Sequence, residues 1–383
     1  LHPNDTLTSS VSALEDFAEC PFRHFASRQL RLAERQELKV DPAGTGTLLH
    51  AVLKQFHEET LSHGGRWRDW PPDAARQRIL ELGDYLLTTP DFAAHRQDPL
   101  VTWESQGRLR RLAQTVGQLV AWMESCSFDP ILAEFEFGPH TDVASWTLDL
   151  PANRTLHLRG SIDRIDFCEL PDGRRLIAVI DYKSSARSLT PAGLAAGVEL
   201  QLLGYLAFAV ASPDLHRALP NPNPHSSSPT PPPPEPAGAF YIPLSPGIPS
   251  ADRDTPDPAW HRKSLDALVH SGRGNRQWLV AFDPALAQNP KQPDHSRQFK
   301  PRQFLEPDAF QQLLNTTTHH LRQHATRILD GQIGVQPLRF SPQKTACDHC
   351  PFRPVCRFEP RLGGFRSLLL AHGHPHPTTT TGH

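Results

Sequence analysis

Apolar positions cluster on both sides of a short polar break in residues 156–185, LHLRGSIDRIDFCELPDGRRLIAVIDYKSS. Leu156, Leu158 and Ile162 precede Pro171-Asp172-Gly173-Arg174, and Leu176, Ile177, Val179 and Ile180 follow it. Two β-forming arms around turn chemistry predict a hairpin. A turn centred between Asp172 and Gly173 sets Tyr182 opposite Asp163 and leaves Asp181 one residue out of line, which a bulge would correct. Asp181 and Lys183 are two apart, so a strand points both side chains to one face.

Helical spacing dominates much of the remaining chain. Ser12-Ala13-Leu14-Glu15 has the S-x-x-E form of a capping box and predicts a helix that Pro21 interrupts, with Cys20 at the break. Residues 44–61, GTGTLLHAVLKQFHEETL, read as a glycine-bearing loop followed by a helix. Leu49, Val52, Leu53 and Phe56 form its apolar stripe, and His50 sits at the border. From about 65 to 125 the spacing is again helical and predicts an inserted helical cover. Ile131 to Gly138 reads as a strand whose alternation puts Glu134 and Glu136 on one face, both as solvated residues. Thr190 to Val210 reads as one apolar helix on which Gln201 and Tyr205, four apart, share a face.

Residues 219–237, dominated by proline, predict a disordered loop of partly polyproline character, and 371–383 a disordered tail. Strands are expected at Ala239–Leu244 and Trp278–Phe282, and a helix at Pro307–Leu329. Residues 1–370 are expected to form one domain.

The net charge of -2 gives no global attraction for nucleic acid, so any DNA contact must come from local patches. Candidate patches are Arg23, Arg28, Arg31 and Arg35, then Arg108, Arg110 and Arg111, then Arg297, Lys300 and Arg302. No apolar run is long enough to span a bilayer and the first residues lack a signal-peptide layout, so a cytoplasmic protein is expected. The chain begins with Leu1 and reads as a processed product or a piece of a longer polypeptide. There is no G-x-x-x-x-G-K-[ST], so no ATP site is expected.

The hairpin chemistry is that of phosphodiester hydrolysis. Two carboxylates can hold Mg²⁺, which polarises a phosphoryl oxygen and acidifies a water, and a lysine can orient the nucleophile and offset charge on the phosphate. A surface hairpin with solvated charges is the plainer reading of an isolated Asp-x-Lys. Elsewhere, Cys347, Cys350 and Cys356 follow a C-x2-C-x5-C spacing that suits a soft or borderline metal. Cys20, followed by proline as Cys350 is, is the candidate fourth ligand. Zinc and a [4Fe-4S] cluster both fit the spacing, and His349 could replace Cys20 in a zinc site. Cys126 and Cys168 read as buried.

In sequence order these pieces resemble the iron-sulfur branch of the RecB-like PD-(D/E)XK nucleases, above all the C-terminal nuclease domain of AddB-type helicase-nuclease proteins. The resemblance rests on Cys20-Pro21-Phe22, Gly46-x3-His50, Glu134-x2-Phe137-Gly138, Gly160-Ser161-Ile162-Asp163-Arg164-Ile165-Asp166, Asp181-Tyr182-Lys183, Gln201-x3-Tyr205 and the cysteine trio. It implies an α/β restriction-endonuclease-like core, a mixed sheet flanked by helices, stapled by an iron-sulfur cluster. His50, Asp163, Asp181 and the Tyr182 carbonyl would bind Mg²⁺ or Mn²⁺, and Lys183 would act on the attacking water. Gln201 and Tyr205 would contact DNA or orient the site, and the four cysteines would hold the [4Fe-4S] cluster. The implied activity is DNA exonuclease action beside an AddA-type helicase-nuclease partner at double-strand breaks. The alternatives are a free-standing or CRISPR-associated iron-sulfur nuclease, and a DNA-end-binding module without catalysis.

Overall fold

The computed structural model describes residues 5–33, 42–185, 187–220, 232–244, 268–288, 298–361 and 364–368. Strand β1 (Thr6–Ser10) runs into helix α1 (Val11–Glu19), and Cys20 separates it from the short α2 (Pro21–His24). Helices α3 (Pro42–Ser62), α4 (Pro72–Thr88) and α5 (Pro99–Met123) follow. Then come strands β2 (Asp129–Phe137), β3 (Trp146–Leu150), β4 (Arg154–Glu169) and β5 (Arg175–Lys183). Helices α6 (Pro191–Ala195), α7 (Gln201–Ala211) and α8 (Pro213–Ala218) lead to β6 (Glu235–Pro243), β7 (Ser271–Asn275) and β8 (Phe304–Leu305). A long helix, Pro307–Leu329, precedes a small sheet of Leu338–Ser341, Lys344–Thr345 and Arg366–Ser367.

The main sheet is mixed, in the order β1-β4-β5-β6-β7-β8, with β2 and β3 also paired to β4. Strand β4 is its spine: its first half pairs β1 and β3, its second half β2 and β5. Strand β5 lies between β4 and β6 and is buried along nearly its whole length, which is why its sequence, RLIAVIDYK, is apolar at most positions on both faces. Leu176, Ala178 and Ile180 join one core with Val52 and Phe56 of α3, Ile79 of α4 and Val116 of α5. Ile177 and Val179 join the other, with Phe17 of α1, Leu206 of α7 and Leu321 of the long helix. Each such side chain, fully buried, contributes about 1.5–3 kcal/mol.

Several sequence expectations need correction. The hairpin register runs from Glu169 paired with Arg175 to Arg164 paired with Ile180, without a bulge, so its next rung sets Asp181, and not Tyr182, opposite Asp163. Helix α3 starts at Pro42 and takes in the supposed glycine loop, because proline at the first helical position is preset for the turn. The helix expected from Thr190 to Val210 is two helices, broken at Gly197 with φ +68°, where His324 leaves no room for a Cβ. Residues 276–282 are short helical turns, and the strand lies just before them, at β7. Strand β6 begins at Glu235, inside the expected proline-rich loop, whose residues 221–231 fall outside the described residues, as does the expected tail. Ser12 is not a cap: Ser10 accepts the Ala13 N–H at 3.2 Å, which frees Glu15 for another role.

Candidate active site

Three strands set three carboxylates in a row. The β2–β4 register, between Ala133 paired with Arg164 and Phe135 paired with Ile162, sets Glu134 opposite Asp163. The β4–β5 register then sets Asp181 on the far side of Asp163. Glu134 has φ +48°, a left-handed conformation inside a strand that costs on the order of 1–3 kcal/mol and re-aims the side chain. It is aimed at His50, whose Nδ1 lies 3.0 Å from Glu134 Oε1 and 3.7 Å from Asp163 Oδ1. His50 arrives on α3, from the helix layer opposite α7.

The row is tied to the sheet by main-chain and side-chain donors. Tyr182 N–H donates to Asp163 Oδ2 at 2.7 Å, and Ser161 Oγ donates to Glu134 Oε2 at 3.4 Å. Lys183 Nζ lies 2.5 Å from Asp181 Oδ2, the same-face arrangement that the two-residue spacing predicts. Beyond that ion contact the buried Asp181 Oδ2 has no hydrogen-bond partner among the described residues. The Tyr182 ring is buried edge-on to His50, and its hydroxyl accepts from Arg164 Nη1 at 3.1 Å.

Burial pushes the Asp163 carboxyl up to about 7, and the charge of Asp181 adds to this. Asp181 is raised as well, chiefly by burial, against the pull of Lys183. Burial alone would lower His50, but its bond to Glu134 and the charges of Asp163 and Asp181 raise it. Crowded, desolvated acids of this kind favour a cation among them. His50, Glu134 and Asp163 bring ligand atoms within 4.8 Å of one another, and an imidazole with carboxylate oxygens suits a divalent metal. Asp181 stands on the neighbouring strand rung with its Oδ2 against Lys183, outside that group of three. The residues present therefore fit a divalent metal.

Among the residues that could hold a metal, Glu134 is the one that strand alternation misses, because it reads as a solvated position and nothing in the local sequence encodes its positive φ. The one available signal was its place in the Glu134-x2-Phe137-Gly138 motif.

Gln201 and Tyr205 stand beside the row. Gln201 opens α7 and its side chain bonds the Tyr205 hydroxyl. Tyr205 is buried against Phe137, and a Cβ on Gly160 would come within 2.9 Å of it, so glycine is needed there. Glu15 fixes the start of α7: its Oε1 accepts the N–H groups of Leu200 at 2.5 Å and Gln201 at 2.9 Å. These satisfy orphan donors at the helix N-terminus. Burial raises Glu15 to about 7.

The second cluster joins the chain ends. Cys20, Cys347, Cys350 and Cys356 line one small pocket, with Arg23 and Phe358 beside them. His349 is exposed and does not line it. Burial and the other three thiols raise Cys347 to about 11. Arg366 Nη2 donates to the carbonyls of Ala18 and Glu19 at 2.6 and 3.0 Å, a second tie between the ends. Cys126 and Cys168 are buried elsewhere. Of the basic patches, Arg23 and Arg28 are paired with Asp16 and Glu19. No helix among the described residues is long and apolar enough to cross a membrane.

The model of the PD-(D/E)XK nuclease superfamily matches residues 8–357. Among curated relatives, the chain is 33% identical over 377 residues to the B-type component of the ATP-dependent helicase/deoxyribonuclease of Symbiobacterium thermophilum, a match that covers 95% of this chain and 31% of the relative. Proteins of the same name from Moorella thermoacetica and Natranaerobius thermophilus are 31% and 27% identical, over 94% and 97% of this chain and 31% and 32% of their own lengths. The chain thus spans about a third of the relatives it matches.

Proposed function

Because this chain belongs to the PD-(D/E)XK nuclease superfamily, we propose that it is a divalent-metal-dependent deoxyribonuclease, an exonuclease of the AddB type working within a helicase-nuclease complex at double-strand breaks. The observation that carries this reading is the convergence of His50, Glu134 and Asp163 on one spot, with the Asp181–Lys183 pair on the next strand. His50, Asp163, Asp181 and the Tyr182 carbonyl would hold Mg²⁺ or Mn²⁺, with Glu134 added to that set. Bound there, the ion supplies Lewis-acid polarisation of the phosphate and acidifies a water. Lys183 orients the attacking water and offsets charge building on the phosphate. Gln201 and Tyr205 contact DNA or orient the site, and the burial of Tyr205 favours the orienting role for it. An AddA-type helicase-nuclease is the proposed partner, in keeping with the relatives' name.

The four cysteines would hold a [4Fe-4S] cluster. Among the described residues only His50, Glu134 and Asp163 form a group with ligand atoms all within 4.8 Å, so no three of the cysteine sulfurs lie that close together. What supports the cluster is that all four thiols line one pocket between the first and last described parts of the chain.

End-labelled linear DNA with Mg²⁺, cut by the wild type and not by Asp163→Ala, is the test of activity and metal site together. Digestion by Lys183→Ala at the wild-type rate would refute the lysine's role, and an inactive wild type would favour a DNA-end-binding module. Protein purified without oxygen should be brown and contain iron and sulfide. A colourless sample with zinc alone would refute the cluster.

A further inference from the structure

Resting on the nuclease reading above, we propose that Arg187 is a phosphate-binding residue of this site, gripping the DNA backbone on the Lys183 side of the carboxylate row. Tyr241 pairs with Asp181 in the parallel β5–β6 register, so its ring borders the row at the end away from His50. Lys183 Nζ lies 5.6 Å from the centre of that ring, and the Arg187 guanidinium carbon lies 5.5 Å from it. One aromatic ring therefore holds two cations beside the buried Asp181.

The two cations differ in what they can still offer. Lys183 touches Asp181 at 2.5 Å, which ties it to the row and to the water it would orient. Arg187 is exposed, and among the described residues no carboxylate comes within ion-pair distance of it. Its charge is nonetheless felt at Asp181 and Glu15. Nor is its backbone loose. Ser271 Oγ donates to the Arg187 carbonyl, and Arg273 Nη2 donates to the Leu189 carbonyl at 3.1 Å, so β7 pins the segment at two points. Ser271 is also the register partner of Tyr241, and one rung of the sheet thus fixes both the ring and the arginine's main chain.

A pinned backbone, a neighbouring ring and no competing acid leave the guanidinium donors available, and their planar fork matches two phosphate oxygens. The site also needs such a cation. A phosphodiester approaching Glu134, Asp163 and Asp181 meets three acids; a divalent ion held among them would offset two charges and Lys183 the one it touches, which leaves the substrate's own negative charges to be met from outside the row. Arg187 supplies the further positive charge on the substrate side.

The experiment measures binding of fluorescently end-labelled single-stranded DNA over a salt series, with divalent metal chelated, and KM for cleavage in Mg²⁺. Arg187→Ala should weaken binding about five- to tenfold near 0.1 M salt and lower the salt slope by about one phosphate contact. KM should rise by a similar factor with kcat little changed. Arg187→Lys should recover the salt slope but not the full affinity, because a lysine lacks the fork. Unchanged KM and salt slope in Arg187→Ala would overturn the proposal, as would a loss confined to kcat. A wild type that binds DNA but shows no metal-dependent cleavage would sink the nuclease reading instead, and the binding data would still decide the role of Arg187.

Discussion

The carboxylate row and the cysteine pocket are both clusters of metal-ligand side chains, yet the fold builds them in opposite ways. In the row each acid sits on its own strand, and ladder pairing sets the spacing. In the pocket three of four thiols belong to a stretch whose only regular pieces are a two-residue strand and a four-residue helix, and the fourth lies at the break between α1 and α2. The row is a product of the fold. On the proposed reading the pocket is one of its supports, since a group bound there would hold the first and last parts of the chain together.

The sharpest way to break this comparison is to separate activity from stability. Asp163→Asn should lower cleavage by about 10³-fold, while the carboxamide still accepts from Tyr182 N–H and relieves a buried charge. Its unfolding midpoint should stay level or rise, and a large fall would mean the row also holds the fold. Cys356→Ser should do the reverse, with roughly 3–5 kcal/mol lost in denaturant unfolding and activity per folded molecule within a few fold. Gly160→Ala should fall between them. Its Cβ pushes on Tyr205, and we expect about a tenfold loss in kcat for little change in midpoint.

A separate effect concerns pH. The Glu15 carboxyl, raised to about 7 by burial, keeps its proton in the folded chain at pH values where the unfolded chain has lost it. Its stabilisation is present below its ordinary value of 4.5 and is lost as pH rises through about 7. Glu15→Gln should therefore gain on the wild type across that window, by up to about 3 kcal/mol. Urea midpoints of the two proteins at several pH values measure this directly. A constant difference would show that Glu15 is not protonated in the fold. His57 and His324, both lowered to about 4 mainly by burial, tilt both proteins the other way, since their stabilisation is lost as pH falls from 6.5.

What the sequence made legible follows the reach of local rules. The shared face of Asp181 and Lys183 is legible because a two-residue spacing needs no knowledge of neighbours, and that of Gln201 and Tyr205 because four residues make one helical turn. The hairpin was found, but its register slipped by one, because the turn shape around Asp172 decides it and the arms do not. Residues 276–282 misled because a short apolar run carries no period long enough to choose helix or strand. Glu15 reads as part of its own helix's capping box, whereas it serves Leu200 and Gln201, far away in the chain. Glu134 and Arg187 depend on a left-handed residue and on a rung of the sheet. Neither is written in nearby residues.

The bond from Tyr182 N–H to Asp163 Oδ2 has one more consequence. A backbone amide that would otherwise face another strand is spent on a carboxylate of the reactive row. Its proton resonance must feel the charge of that oxygen directly. A single amide signal, followed by NMR without any DNA present, thereby becomes a built-in gauge of whether Asp163 holds a proton, a metal or neither.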